Sequence, residues 1–387
     1  MSDPHLDPVF SLPNGFKIRE VSNLTAPRAA YALAPSLDPL AAFAGTFAGH
    51  GFNSIFRPNS TATPTPLPIP VTGNDNLLEL NLTQETLSFS PALGSIPNRG
   101  TGPQGDIFLN GVAYLQAIND VTVPSQPVGI HFEPGIWLAV PATIHPAEGA
   151  TVARMASTPH GTTVEAQGTS STTAGKPAIP AVDITPFPIG NPSQRISFPS
   201  QTAADHTTAR IPQNLAPYIT AGTITQAMLT DPNILLRNHI ASQTITSTSI
   251  ISISSDPAAP LFGGGTDNIA FLLGNATATW PNAQATKMDA TFWIETVEFT
   301  IEVPIFEPGQ PPLLISAPTG AEGQLVPKFL VNPPVPITAP RYITVKAQQI
   351  QYSQQVFLNF IGLTWPHVSV ATLVPSSPIP VPSSAWT

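Results

Sequence analysis

The chain is 387 residues long, has a net charge of −9, and combines 47 prolines and 26 glycines with 10% charged residues and no cysteine. No lysine- or arginine-rich run is present, so a nucleic-acid partner is not expected, and the lack of cysteine excludes disulfides, thiolate catalysis and cysteine-held zinc. Frequent proline opposes a helical fold, because each ring removes an amide donor and clashes with the preceding turn; short strands joined by proline- and glycine-rich turns tolerate it.

The first residues, MSDPHLDPVF, lack the basic start and apolar run of a signal peptide. No stretch has the uninterrupted apolar length of a membrane span. A soluble cytoplasmic protein with no membrane partner is the expectation. Residues 1–38 read as an N-terminal arm with scattered prolines and no sustained period. The first strand runs from Phe43 to Phe56, with Gly45, Gly49 and Gly51 suiting a barrel bend or the close approach of a ligand. A loop with Pro64, Pro66, Pro68 and Pro70 follows. Leu78, Leu80 and Leu82 then alternate with polar residues, the period of a strand. Further strand-like runs lie near 107–118, 127–140, 150–157 and 162–167.

From 169 to 243 the pattern stops. This block is Ser/Thr/Pro-rich and then shows one helix opened by Asp231-Pro232. It reads as an insertion between strands, equally a lid, an oligomer contact or a passive excursion. Strands resume at 244–253, 267–280, 286–303, 342–355 and 359–373. In the run 286–303, Met288, Ala290, Phe292 and Ile294 share one face, and Val297, Phe299, Ile301 and Val303 take the other. Such a phase switch predicts a bulge or corner. The predicted fold is all-β: a single closed antiparallel, lipocalin-like barrel of about ten strands spanning 1–387, wide enough for one small ligand.

No metalloprotease histidine pair, nucleophile elbow, phosphate loop or dinucleotide fingerprint occurs. The run Gly263-Gly-Gly265 lacks a following Lys-Ser/Thr and reads as a turn, and Glu295 and Glu298 fall on opposite strand faces. His367 is the candidate with a definable setting. Alternation puts Leu363, Trp365, His367, Ser369 and Ala371 on one face, where small neighbours leave room beside the imidazole. Neutral imidazole suits iron; a hydrogen-bonded core histidine or a solvent-facing one fits the position too.

Several motifs together resemble the nitrobindins, lipocalin-like barrels that bind heme b. They are Gly45-Thr-Phe-Ala-Gly-His-Gly51, His131-Phe-Glu-Pro-Gly-Ile-Trp137, Ala150–Gly161 with Thr163–Gly168, and Tyr352 followed by Pro366-His-Val-Ser-Val-Ala-Thr-Leu373. Phe47 stands where that family has tryptophan. The resemblance implies heme b with His367 as the proximal iron ligand, and Gly45, Phe47, Gly49, Gly51 and Trp365 around the cofactor. It also implies His50 or His131 as distal-side groups, each equally a structural hydrogen-bonder, and Arg154 as a propionate partner or else a solvated strand residue. The activity implied is nitric oxide or peroxynitrite chemistry, with peroxidase-like turnover an alternative and a small-molecule or gaseous ligand as partner. Two other classes stay open: a metal-free carrier, isomerase or cyclase for a hydrophobic molecule, and a self-assembling structural protein or homo-oligomer.

Overall fold

The computed structural model describes residues 35–73, 75–258, 261, 263–273, 282–318 and 325–386. Ten strands form a closed antiparallel barrel: β1 (Gly45–Pro58), β2 (Asn76–Phe89), β3 (Ile107–Asp120), β4 (Val128–Val140), β5 (Thr151–Thr158), β6 (Thr162–Ala174), β7 (Thr244–Ser254), β8 (Gln284–Val303), β9 (Arg341–Phe360) and β10 (Leu363–Pro375). Each strand pairs with its neighbours in sequence, and β10 closes the ring on β1 from Phe47↔Pro375 to Ser54↔Val368. The expected all-β barrel is therefore the observed one.

Closure needs sharp strand bends, and glycine supplies them at the seam. A Cβ on Gly49 would lie 1.9 Å from the Thr372 carbonyl oxygen of β10, and one on Gly168 1.8 Å from that of Ser252 on β7. Gly49 thus admits the partner strand's backbone. The β9–β10 turn is the two-residue Ile361-Gly362, with φ of 48° and 72°, the left-handed pair of a type I′ hairpin.

The interior is filled from one end. Phe43, just before β1, stacks on Phe89 at 4.6 Å and meets Trp137 edge-on at 5.5 Å, while Trp137 meets Phe292 at 5.1 Å. Leu40, Phe47, Leu87, Ile251, Met288 and Ile350 complete this aromatic floor. Of the expected arm, residues 1–34 lie outside the described residues.

The opposite face of the wall has its own cover. β6 continues to Ala174, so the segment between strands is 175–243, slightly shorter than the 169–243 expected. Its Ile179, Ile184, Leu215, Met228, Leu236 and Ile240 pack on Phe52, Phe56, Leu78, Leu80, Val368 and Val370. The segment thereby covers Val368 and Val370, the outward-facing valines of β10. The segment is organised round Arg210, which is wholly buried and donates to the carbonyls of Ser200, Thr202, Ala203, Asp205, Pro212 and Gln213. Burial lowers its guanidinium to about 10. The predicted helix forms over Ile234–Ile240, and the Asp231 carboxylate accepts from the amides of Asn233 and Val182.

Two expectations need correction. The stretch 267–280 is not a strand: only Gly265–Asn268 pairs, with β6, before a helical turn at Ala270–Leu273, and 274–280 lies outside the described residues. The phase switch in 286–303 is not a corner in β8, whose register with β9 is continuous from Lys287 to Val303. The expected bulge lies in the partner strand β7, between Ile245 and Ser247 opposite Val297 and Thr296, and β8 has another register shift between Ala285 and Lys287. Beyond Val297, β8 and β9 leave the barrel and pack Ile301, Val303, Ile343 and Val345 on a separate core with a small sheet of Leu313–Ser316, Lys328–Val331 and Ile379–Pro380. The second apolar face serves that core.

A β-branched residue in the left-handed region carries strain of roughly 1–2 kcal/mol. Ile361→Asn, with about half of Ile361 exposed, is expected to raise stability by about 1 kcal/mol in urea unfolding. Gly168→Ala is expected to lower it by about 1–3 kcal/mol or more, because its Cβ meets backbone that cannot move aside.

Candidate functional site at the histidine-lined end

Strand register decides which side chains enter the barrel. Pairing of Gly135 with Ala156 and of Tyr114 with Gly135 aligns Tyr114, Gln116 and Ile118 of β3 with His131, Glu133 and Trp137 of β4 and Arg154 of β5. Across the ring, Tyr352 pairs with Ala371, Gln354 with Ser369 and Val356 with His367. These inward residues change from aromatic at the floor to polar toward the end bounded by the β5–β6 and β9–β10 turns.

At the centre is a buried ion pair. Arg154, 2% exposed, donates to Glu133, to Tyr114 Oη (2.8 Å) and to Gln354 Oε1 (2.7 Å). Its guanidinium lies 5.3–5.6 Å from the ring centroids of Tyr114, Trp137 and Phe292. Burial alone would raise the Glu133 carboxyl, but Arg154 and the bonds from His131 and Tyr114 outweigh it and hold the group down to about 2. A second carboxyl, Glu85, accepts from Tyr352 Oη (2.6 Å), Thr83 and Gln116. Among the described residues no lysine or arginine pairs with it, and burial pushes it up. Gln116 Nε2 also lies 3.1 Å from Tyr352 Oη, which ties the two groups together.

Above this layer three imidazoles converge. His131 Nε2 is 3.2 Å from Glu133 Oε2, and its Nδ1 is 3.4 Å from Nε2 of His160 in the β5–β6 turn. His367 Nε2 is 2.9 Å from Asn53 Nδ2 and 3.5 Å from Ser369 Oγ. Burial, with His131 and His160 adding to it, lowers the His367 imidazole to about 3, so the ring is neutral at physiological pH. His160 is lowered too, by burial and then by His131. The Asn53 amide donates to the lone pair of His367 Nε2, and Asn53 Oδ1 is buried without a partner.

The sequence-predicted residues separate on this frame. His367, His131 and Arg154 belong to the interior polar layer. The solvated reading of Arg154 fails because the side chain is buried in an ion pair, and the structural reading of His131 has its hydrogen bonds. Phe47 lies in the floor. Gly49 and Gly51 face the backbone of β10. Gly45 opens β1 with φ 77°. Trp365 stacks on Phe360 at 4.5 Å and joins the outer cluster with Phe56 and Phe198. His50 is exposed on the outer wall, where β1 alternates away from the interior. Glu133, Tyr114, Glu85, Gln116, Gln354 and His160 were not singled out from sequence. The signal was polar residues at inward positions between apolar ones, as in Val112-Ala-Tyr-Leu-Gln-Ala-Ile118.

A groove of about 740 Å³ lies elsewhere, bordered by Ile136, Met155, Glu165 and residues 264–267. By strand alternation those side chains are on the outer side of the wall. Among the described residues, no group of three His, Asp or Glu side chains is arranged to hold a metal ion, and no helix is long and apolar enough to cross a membrane.

Fold and site together define a closed ten-strand meander barrel with an aromatic floor, a buried charged layer and an imidazole-lined end. No family model and no curated protein matches the sequence. Among solved structures the chain is similar to one titled "Crystal Structure of Rv2717c from M. tuberculosis", with 12% sequence identity, a TM-score of 0.32, and coverage of 89% of this chain and 99% of that one.

Removing one partner of a buried ion pair costs about 3–5 kcal/mol. Glu133→Gln is expected to lose that much in urea unfolding at pH 7. Because the Glu133 carboxyl is depressed in the fold, its contribution is present above its ordinary value of 4.5 and declines as pH falls toward about 2. The variant should lack this acid-dependent component, as read from unfolding midpoints between pH 6 and pH 2.5.

Proposed function

We propose that the barrel binds one small organic ligand at its histidine-lined end, over the aromatic floor. The observation that carries this reading is the buried, partnerless Oδ1 of Asn53 beside neutral His367. A buried acceptor without a donor costs roughly 1–3 kcal/mol, which a ligand N–H or O–H would recover. The surrounding surface is mixed: Ser369 and the histidines offer polar contacts, and Val356 and Ile118 lie on the same inner face. Such a lining suits a largely apolar molecule with one or two polar groups.

Heme b is the second reading, and neutral His367 favours it, since imidazole in that state is an axial iron ligand. When bound, heme supplies redox and diatomic-gas chemistry at its iron. As arranged, however, the residues do not leave the ligand atom free: Nε2 of His367 is 2.9 Å from the Asn53 amide. Arg154 is likewise committed to Glu133, Tyr114 and Gln354 rather than open to a propionate. Heme would require Asn53 to turn away. Peroxide or peroxynitrite turnover and gas binding are the activities to assay on hemin-loaded protein.

One titration separates the readings. The protein purified under native conditions is analysed by mass spectrometry for co-purifying small molecules, then titrated with hemin while the Soret band is recorded. A colourless protein carrying an organic molecule that is lost in Asn53→Leu supports the first reading. A stoichiometric Soret band that disappears in His367→Ala supports heme. Absence of both ligands overturns the proposal.

A further inference from the structure

A second buried titratable centre lies on the outer wall, away from the histidine-lined end. Glu295 of β8 is fully buried, and its one hydrogen-bond donor is Gln349 of β9, whose Nε2 is 2.7 Å from Oε2; Oε1 has no partner. Gln349 also reaches the covering segment. Its Oε1 lies 3.2 Å from His239 Nε2 and 3.0 Å from Gln243 Nε2, and its Nε2 donates to Gln243 Oε1 at 3.1 Å. One amide therefore joins a carboxyl in the barrel wall to the end of the helix Ile234–Ile240. Beneath that helix lie Trp293, Val297 and Val370, all buried.

Among the described residues no cation offsets a charge on Glu295. From β7, Thr248 is opposite and donates to the Gly175 carbonyl, and the strand has no titratable residue. On β8 and β9 the nearby charges, Glu298 and Lys346, face each other at 3.9 Å. On the covering segment Arg237 pairs with Asp231, and Lys176 donates to the Ala241 carbonyl. His239 is the remaining titratable group, and burial lowers it.

We propose that Glu295, Gln349 and His239 form a proton-controlled latch that holds the covering helix on the barrel when Glu295 is protonated and releases it when the carboxyl ionises. Burial pushes the Glu295 carboxyl up to about 7. Once the helix lifts, the carboxyl regains water and its ordinary value of 4.5. The contribution of Glu295 to the closed state is thus complete below about 4.5, declines as pH rises, and levels off above about 7. The buried His239 acts in the opposite sense, because opening lets it take up a proton at low pH. The latch would couple ambient pH to exposure of an apolar wall, independently of the ligand at the histidine-lined end.

Hydrogen exchange across residues 234–243 in the full chain, corrected for the intrinsic pH dependence of amide exchange, reads the opening directly. Glu295 alone predicts an opening constant roughly seventy-fold larger at pH 8 than at pH 5. Glu295→Gln keeps the amide contact without the titration and is expected to abolish the rise, leaving a flat or falling trend. Gln349→Leu removes the bridge and is expected to leave the helix weakly protected at both pH values. A flat wild-type profile, a rise that persists in Glu295→Gln, or full protection in Gln349→Leu overturns the latch.

Discussion

The barrel interior depends on one electrostatic constraint: the charge on Arg154 must be met within the barrel. Glu133 meets it, and Tyr114 and Gln354 take further donors of the guanidinium. Four strands, β3, β4, β5 and β9, are thereby tied across the lumen by groups that water cannot replace. Desolvating such charges is costly, and only complete hydrogen bonding makes the arrangement tolerable. The flanking rings of Trp137 and Phe292 keep water out and add cation–π attraction. Glu85 and Tyr352 extend the polar layer with a carboxyl that burial pushes up, held by hydroxyl and amide donors.

This layer divides the barrel into unequal halves. Below it, interlocked aromatic side chains form the floor. Above it, the side chains are imidazoles, an amide and hydroxyls, groups that bond selectively without a fixed charge. For the proposed ligand, selectivity at that end would rest on hydrogen-bond geometry and shape. The outer wall is asymmetric too: one side is covered by the segment 175–243 held together by Arg210, whereas Leu115, Phe132 and Ile136 of β3 and β4 remain exposed.

Much of the architecture was legible because a strand pattern has period two and one buried face. Leu78, Leu80 and Leu82, and the alternation through Trp365 to Ala371, report burial whichever side it faces. Alternation does not say which face is inside. The outward Leu78 and Leu80 of β2 are as buried as its inward Leu87, because a remote segment covers them. Trp365 misled for a related reason: its position in the alternation predicts the cavity, but near the strand end it packs with Phe360 and Phe56. His367 was found because it stands among apolar and small neighbours. Its contact with Asn53 spans more than three hundred positions and leaves no local signature. His160 is in a turn, where polar residues are the norm and carry no signal.

The meander topology bears on how so long a chain remains one barrel. Within the ring every pairing but one joins strands consecutive in the chain, and the exception is the seam between β1 and β10. The entropy of closing a loop grows only with the logarithm of its length, about 0.6 kcal/mol per doubling. Lengthening a connection between adjacent strands therefore weakens the ring very little. The long segment between β6 and β7 and the projecting hairpin of β8 and β9 are additions the ring tolerates at small entropic cost, provided each brings an apolar surface of its own. By joining the first strand to the last, the same seam makes the ring indifferent to where the chain begins: opening any other connection would preserve all ten pairings once the ends at β1 and β10 were linked.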